Sequence, residues 1–174
     1  MEFNKLVDFL SSRDSYVVIL RGLSGSGKTT LANKLAAKLE KESKILSLDD
    51  FFTAETGEYR FDATKLQKAH DELLGRFLDE LEEATPFIFV DSPAIRVFEI
   101  APYVALASTY GHPHGIVTVH CDPWDAIRRN RKKITDTKIL EQAQEMANQS
   151  FPTWWHRFEI LNGNGNRSSK ETLP

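Results

Sequence analysis

The sequence predicts an α/β fold, a mostly parallel sheet with helices on both faces, and three observations carry that expectation. Short apolar, β-branched runs alternate with segments of helical periodicity, the pattern of successive βαβ units. A Gly-rich turn joins the first such run to the first long helix, Ile19-Leu20-Arg21-Gly22 through Gly27-Lys28-Thr29-Thr30. The chain has 174 residues, of which 41% are AVILMFWYC and 27% charged, enough for one domain with a real core and no disulfide staple.

Phe3, Leu6, Val7 and Leu10 recur at helical spacing, so a short amphipathic helix opens the chain. Residues 15–20 read as a buried strand and residues 30–39 as a helix with Leu31, Leu35 and Leu39 on one stripe. Residues 44–48 predict a second strand ending in Asp49-Asp50. Residues 62–84 predict a long amphipathic helix with Asp62 as N-cap. Residues 87–91 predict the third strand, 97–110 a helix, and 116–120 the fourth strand. Residues 123–149 are expected to be helical on both sides of a basic turn, and 157–161 to form a fifth strand. The expected organisation is one domain over 1–161 followed by a polar, flexible tail over 162–174.

Lys plus Arg number 22 against 25 for Asp plus Glu, a formal charge of −3, which excludes a broadly basic nucleic-acid-coating surface but not a small basic site. Cys121 is the single cysteine, so an intrachain disulfide and a multi-cysteine zinc site are excluded. The opening residues lack a signal-peptide layout and no apolar run approaches a membrane span, so the expected location is cytoplasmic, with no membrane partner.

Gly22-Leu23-Ser24-Gly25-Ser26-Gly27-Lys28-Thr29 matches G-x-x-x-x-G-K-[ST] in full. Glycines let successive backbone N–H groups turn inward around an anion, and the following helix aims its positive end at it. Lys28 is then expected to reach the β- and γ-oxygens of a nucleoside triphosphate, and the Thr29 hydroxyl to ligate Mg²⁺. A chance match to the bare pattern arises in well under ~2% of chains this long, and here it sits between a strand and a helix, as the mechanism requires. Ser24 and Ser26 read as loop residues that add N–H groups.

Ligands of open α/β sheets bind beyond the carboxyl ends of the strands, which brings the two strand-terminal carboxylates toward the Gly-rich turn. Phosphoryl transfer needs a group to accept the acceptor hydroxyl's proton and a group on the metal side. Asp49 is the expected general base, with a cap or turn role as the alternative; Asp91 is the expected metal-side carboxylate, with capping as its alternative. Asp50 reads as structural. The cluster Arg128-Arg129-Asn130-Arg131-Lys132-Lys133 is expected to fold cations over the transferring phosphoryl group. His70, His112, His114 and His120 read as packing or loop residues. Trp124, Trp154 and Trp155 favour packing over base stacking. Arg96 is divided between an acceptor-phosphate role and plain surface.

With these residues placed, the sequence resembles the polynucleotide-kinase-like P-loop kinases, a family that includes the phage 5′-hydroxyl polynucleotide kinase domain. The resemblance runs over about 16–147, through Ile19-Leu20-Arg21-Gly22, the Gly25-Ser26-Gly27-Lys28-Thr29-Thr30 loop, Leu48-Asp49-Asp50-Phe51, Gly57-Glu58-Tyr59-Arg60-Phe61-Asp62, Ala69-His70, Asp91, Ala101-Pro102-Tyr103, and Asp122-Pro123-Trp124 to Arg129-Asn130. It implies a P-loop NTPase three-layer sandwich of four to five parallel strands in the order 2-3-1-4-5, with a small helical lid. It also implies ATP and Mg²⁺ as cofactors and a hydroxyl acceptor, a nucleic-acid 5′-end ahead of a small nucleotide-like molecule. By similarity Asp49 is the base, the nucleotide loop spans Gly22 to Thr30, and the lid cation falls near Lys133, with Arg129 and Arg131 as alternatives. Three features depart from the phage pattern. Phe52 stands where an Arg is found, Asp91-Ser92-Pro93 replaces Asp-Thr-Asn, and Lys133 lacks the bidentate fork of Arg. The implied activity is a kinase acting on a polynucleotide 5′-hydroxyl. A small-molecule kinase and a non-catalytic ATP-binding switch are the other readings, and an apolar pocket around Phe51, Phe52 and Pro93 would favour the small molecule.

Overall fold

A computed structural model describes residues 1–53, 57–130 and 134–161. The described residues form a five-stranded sheet in the order β2-β3-β1-β4-β5, with every neighbouring pair parallel. The strands are β1 (Tyr16–Arg21), β2 (Ser43–Ser47), β3 (Phe87–Asp91), β4 (His114–His120) and β5 (Arg157–Leu161). The helices are α1 (Phe3–Ser11), α2 (Lys28–Ala36), α3 (Leu66–Glu82), α4 (Val97–Thr109), α5 (Pro123–Arg129) and α6 (Asp136–Ala147).

The central strand β1 is buried along its whole length, and its side chains alternate between two cores. Val17 and Ile19 point into a cluster with Leu73, Phe77, Leu81, Ile100 and Tyr103, which roots α3 and α4 on one face. Val18 and Leu20 point into a cluster with Leu6, Leu10, Ala32 and Leu35, which roots α1 and α2 on the other. A third, smaller cluster of Leu23, Ile95, Ala126 and Ile139 seats α5 and α6 against the Gly-rich loop. Each fully buried Val, Ile or Leu contributes about 1.5–3 kcal/mol, so this two-faced burial is what makes β1 a rigid platform.

Register places the chemistry. Ser47 pairs with Asp91, Asp91 with Leu20, and Leu20 with Val117, so the ends of β2 and β3 lie level with Leu20, two residues before Gly22, while β4 runs three residues further.

Element boundaries differ from the sequence expectation where local capping intervenes. The helix expected at 30–39 begins at Lys28, because Gly27 adopts a left-handed conformation (φ +95°) as its N-cap, and ends at Ala36. The strand expected at 44–48 ends at Ser47, and Leu48–Phe52 turns as a 3-10 helix. Asp62 does cap, accepting the Thr64 N–H at 3.0 Å, but of a 3-10 turn over Ala63–Lys65 that leads into α3. The expected tail, 162–174, lies outside the described residues. Among the described residues no helix is long and apolar enough to cross a membrane.

Candidate functional site

The Gly-rich loop is shaped by what packs against it. Gly25 has φ +86°, and a Cβ there would lie 2.2 Å from the Ala126 carbonyl oxygen of α5. At Gly22 (φ +152°) a Cβ would lie 2.7 Å from the Val119 carbonyl at the end of β4. Only glycine fits both the conformation and the space. Inside the loop the Ser26 N–H donates to the Leu23 carbonyl at 3.0 Å. Lys28 is 7% exposed, and its ammonium donates to the Gly22 and Leu23 carbonyls at 2.9 and 2.8 Å. The ammonium thus lies over the concave side of the loop.

Thr29 and Asp91 meet across the loop, the hydroxyl donating to Asp91 Oδ2 at 2.5 Å. Asp91 is buried at the end of β3. These are two hard oxygen donors at the positive end of α2, a donor set that suits Mg²⁺, which takes one or two protein oxygens and completes its octahedron with water and phosphate.

Asp49 does not end a strand; it lies in the 3-10 turn after β2. Ser47 caps this turn, accepting the Asp49 N–H at 3.3 Å. Asp50 completes the capping box by accepting the Ser47 N–H at 3.4 Å, and binds Arg76 of α3 at 3.0 Å. The structural reading of Asp50 therefore holds.

One cleft of about 430 Å³ gathers Lys28, Thr29, Thr30, Asp49, Asp91 and Arg129, together with Ser24, Gly25, Gly27 and Asn130. Gly22 and Ser26 are buried within the loop and do not line this cleft. Leu48, Ser92 and Pro93 complete the wall. Phe52 is absent from it. At 6% exposure it belongs to the core under α3, so the departure from Arg substitutes a packing residue and does not build an apolar acceptor pocket.

Of the basic cluster, Arg129 and Asn130 reach the cleft; Arg131 and Lys133 lie outside the described residues. Arg129 also leans on Cys121, its Nη1 3.8 Å from Sγ, and the Asn130 amide donates to the Ile134 carbonyl at 2.6 Å. Arg128 is drawn aside to Asp125. Arg96 makes a two-point pair with Glu145, at 2.5 and 3.1 Å, and does not line this cleft. Trp155 packs against the core, whereas Trp124 and Trp154 are exposed, so the packing expected of all three holds for one.

Sequence reasoning missed three residues that hold the site. Gln142 of α6 accepts the Ser24 N–H at 3.0 Å. Arg21, 5% exposed, donates to the Ile95 and Met146 carbonyls at 3.1 and 3.0 Å and lies over the Phe151 ring. Tyr59 forms an antiparallel bridge with Thr53 just after the turn that carries Asp49, and its ring packs edge-on to Phe52. All three act across long sequence separations or through a loop, so no local pattern announces them.

With this geometry in place, comparison with known proteins decides the family. Residues 17–153 match the AAA domain family. The chain belongs to that family. This AAA domain is 34% identical over 142 residues to human NEDD4-binding protein 2, an alignment that covers 76% of the chain but 8% of the relative. Its fold superposes on a chain of the Pnkp1/Rnl/Hen1 RNA repair complex with a TM-score of 0.63 at 16% identity, covering 78% of this chain and 45% of that one. It also superposes on the Mycobacterium tuberculosis APS kinase CysC, solved in complex with AMPPNP and APS. There the TM-score is 0.54 at 18% identity, over 89% and 91% of the two chains. The AAA domain described here is thus a P-loop kinase-like fold, as the resemblance in the sequence implied.

Proposed function

We propose that this domain is a Mg-ATP-dependent phosphotransferase that moves the γ-phosphate to a hydroxyl, with the 5′-hydroxyl of a polynucleotide as acceptor. The observation that carries the reading is the single cleft in which Lys28, the Thr29–Asp91 pair and Asp49 face one another. The loop N–H groups and Lys28 would bind the β- and γ-phosphates. Thr29 and Asp91 would hold Mg²⁺, which when bound neutralises charge across those phosphates. Asp49 would take the acceptor hydroxyl's proton as its oxygen bonds to the γ-phosphorus and the bond to the β–γ bridging oxygen breaks, releasing ADP. Arg129 would lend positive charge to the equatorial oxygens.

The choice of acceptor is supported by the core position of Phe52, which keeps its ring out of the cleft, and by the fold shared with a chain of an RNA repair complex. The test is label transfer from γ-³²P-ATP to 5′-hydroxyl DNA and RNA oligomers, their 5′-phosphorylated controls and a nucleoside mixture. The expected result is label on the 5′-hydroxyl oligomers alone, reduced about 10²–10⁴-fold in Asp49→Asn. Label confined to the nucleosides would give the site a small-molecule acceptor. Bound ATP with no label anywhere would favour a switch.

A further inference from the structure

A second cavity, of about 400 Å³, opens between the N-terminal halves of α3 and α4, and its volume is that of a small-ligand pocket. Both helices begin beyond the carboxyl ends of β2 and β3, so this cavity lies at the same end of the sheet as the cleft. Pro93 lines the cleft and Arg96 lines the cavity, and three residues of chain span at most about 11 Å. That link is pinned. The Gly22 N–H donates to the Pro93 carbonyl at 3.0 Å, and Arg21 donates to the Ile95 carbonyl at 3.1 Å. Between them Ala94 takes a left-handed φ of +47°, which a residue other than glycine keeps only where its surroundings fix it.

Leu66, Leu74 and Tyr103 give the cavity an apolar wall, and the Phe98 ring beside them is 65% exposed, with the Arg96 guanidinium 5.7 Å from its centroid. A bare aromatic ring next to apolar surface is a platform on which a flat ring stacks. The polar lining is rich in acceptors. Asp71 takes the Gln67 amide at 2.9 Å and Glu99 takes the Arg96 N–H at 2.9 Å, each through one oxygen, and His70 adds a ring nitrogen. The Arg96 charge is paired with Glu145. Two carboxylates beside a neutralised arginine repel a phosphate but accept the N–H groups that every nucleobase carries on its Watson–Crick edge. We infer that this cavity is a nucleobase subsite for the acceptor strand, seating a base near the 5′ end against Phe98 while the terminal hydroxyl lies in the cleft with Asp49. The inference rests on the polynucleotide reading above.

The deciding experiment measures kcat/KM for label transfer from γ-³²P-ATP to an intact 5′-hydroxyl oligomer and to three others, abasic at the first, second or third nucleotide. Wild type should lose about 5- to 100-fold on one of the abasic oligomers, the scale of removing one stacked base. Phe98→Ala should lose as much on the intact oligomer. On that same abasic oligomer it should differ from wild type by less than about twofold, because the two changes remove one contact. KM for ATP should stay within about twofold, and Phe98→Trp, which keeps a stacking face, should retain the rate on the intact oligomer. The ring is largely exposed, so Phe98→Ala should melt with wild type and report on binding, not on folding. Equal wild-type values on all four oligomers, or an equal Phe98→Ala loss on all four, would overturn the inference and leave the acceptor reading standing. No label on any 5′-hydroxyl oligomer would remove that reading, and the inference with it.

Discussion

Gly25 and Gly75 respond in opposite ways to an added methyl group. At Gly25 the backbone is left-handed and the new Cβ would strike the Ala126 carbonyl, which is backbone of α5 and cannot rotate away. Gly25→Ala should therefore cost about 2–4 kcal/mol and abolish ATP binding, because relief requires the loop or α5 to move. Gly75 lies exposed within α3, with nothing within 4 Å of an added Cβ. Gly75→Ala should stabilise by about 0.5–1 kcal/mol, since alanine loses less backbone freedom on entering a helix. Paired thermal melts check both, and a Gly25→Ala chain that melts with wild type would remove the argument from close approach. The place of Lys28 and Thr29 in the cleft was legible in the sequence because a phosphate loop is local, carried by eight consecutive residues. Gln142 was not, since its bond to Ser24 spans 118 positions and a glutamine on a helix has no distinguishing neighbour.

The turn over Leu48–Phe52 carries Asp49, and its geometry depends on residues that never enter the cleft. Asp50 serves it twice, completing the capping box with Ser47 and tying the turn to Arg76 of α3. Asp50→Ala should cost about 0.5–1.5 kcal/mol, a cap plus a part-exposed ion pair, and should lower phosphoryl transfer by loosening Asp49. Asp50→Asn keeps a cap acceptor and loses the pair, so it should recover part of both losses. Denaturant unfolding and label transfer on the two variants check the order, and an Asn variant no better than Ala would give the weight to Arg76 alone. The strand-to-turn switch here was read from the sequence as strand followed by aspartates. The apolar run Ile45-Leu46-Ser47-Leu48 is the same for a strand that stops at 47 or 48, and what stops it is the hydroxyl of Ser47 turned back on the chain. Strands β1, β3 and β5 coincide with the expected runs to within a residue, because continuous or alternating apolar burial sets their limits.

For the molecule as a whole, the strand order was legible only through the resemblance, whereas the alternation of elements already implied parallel strands; the loop-bound contacts of Arg21 and Tyr59 were legible through neither. The same contacts that assemble the fold bias its protonation. His112 and His156 are both held below the usual 6.5, His112 by burial, and His156 by burial and then by the positive Arg13 and His114 nearby. In the unfolded chain each titrates at its ordinary value, so just below that value the unfolded state binds more protons than the folded one. This contribution to stability is complete above about pH 6.5 and is lost as pH falls below it. A second group acts lower. Asp14 is held below the usual carboxylate range by Lys41, Asp62 by its bonds to Thr64, and Glu145 by Arg96. Their contribution is present above about pH 4–4.5 and is lost as pH falls through their folded values. Stability should therefore decline in two stages, read as the urea midpoint at pH 7.5, 5.5 and 3.5. His156→Gln should flatten the first stage and leave the second, because it removes one imidazole that the folded chain keeps neutral beside the Tyr16 hydroxyl. A wild-type midpoint that does not fall between pH 7.5 and 5.5 would mean that burial at these two histidines is not sensed as a protonation penalty.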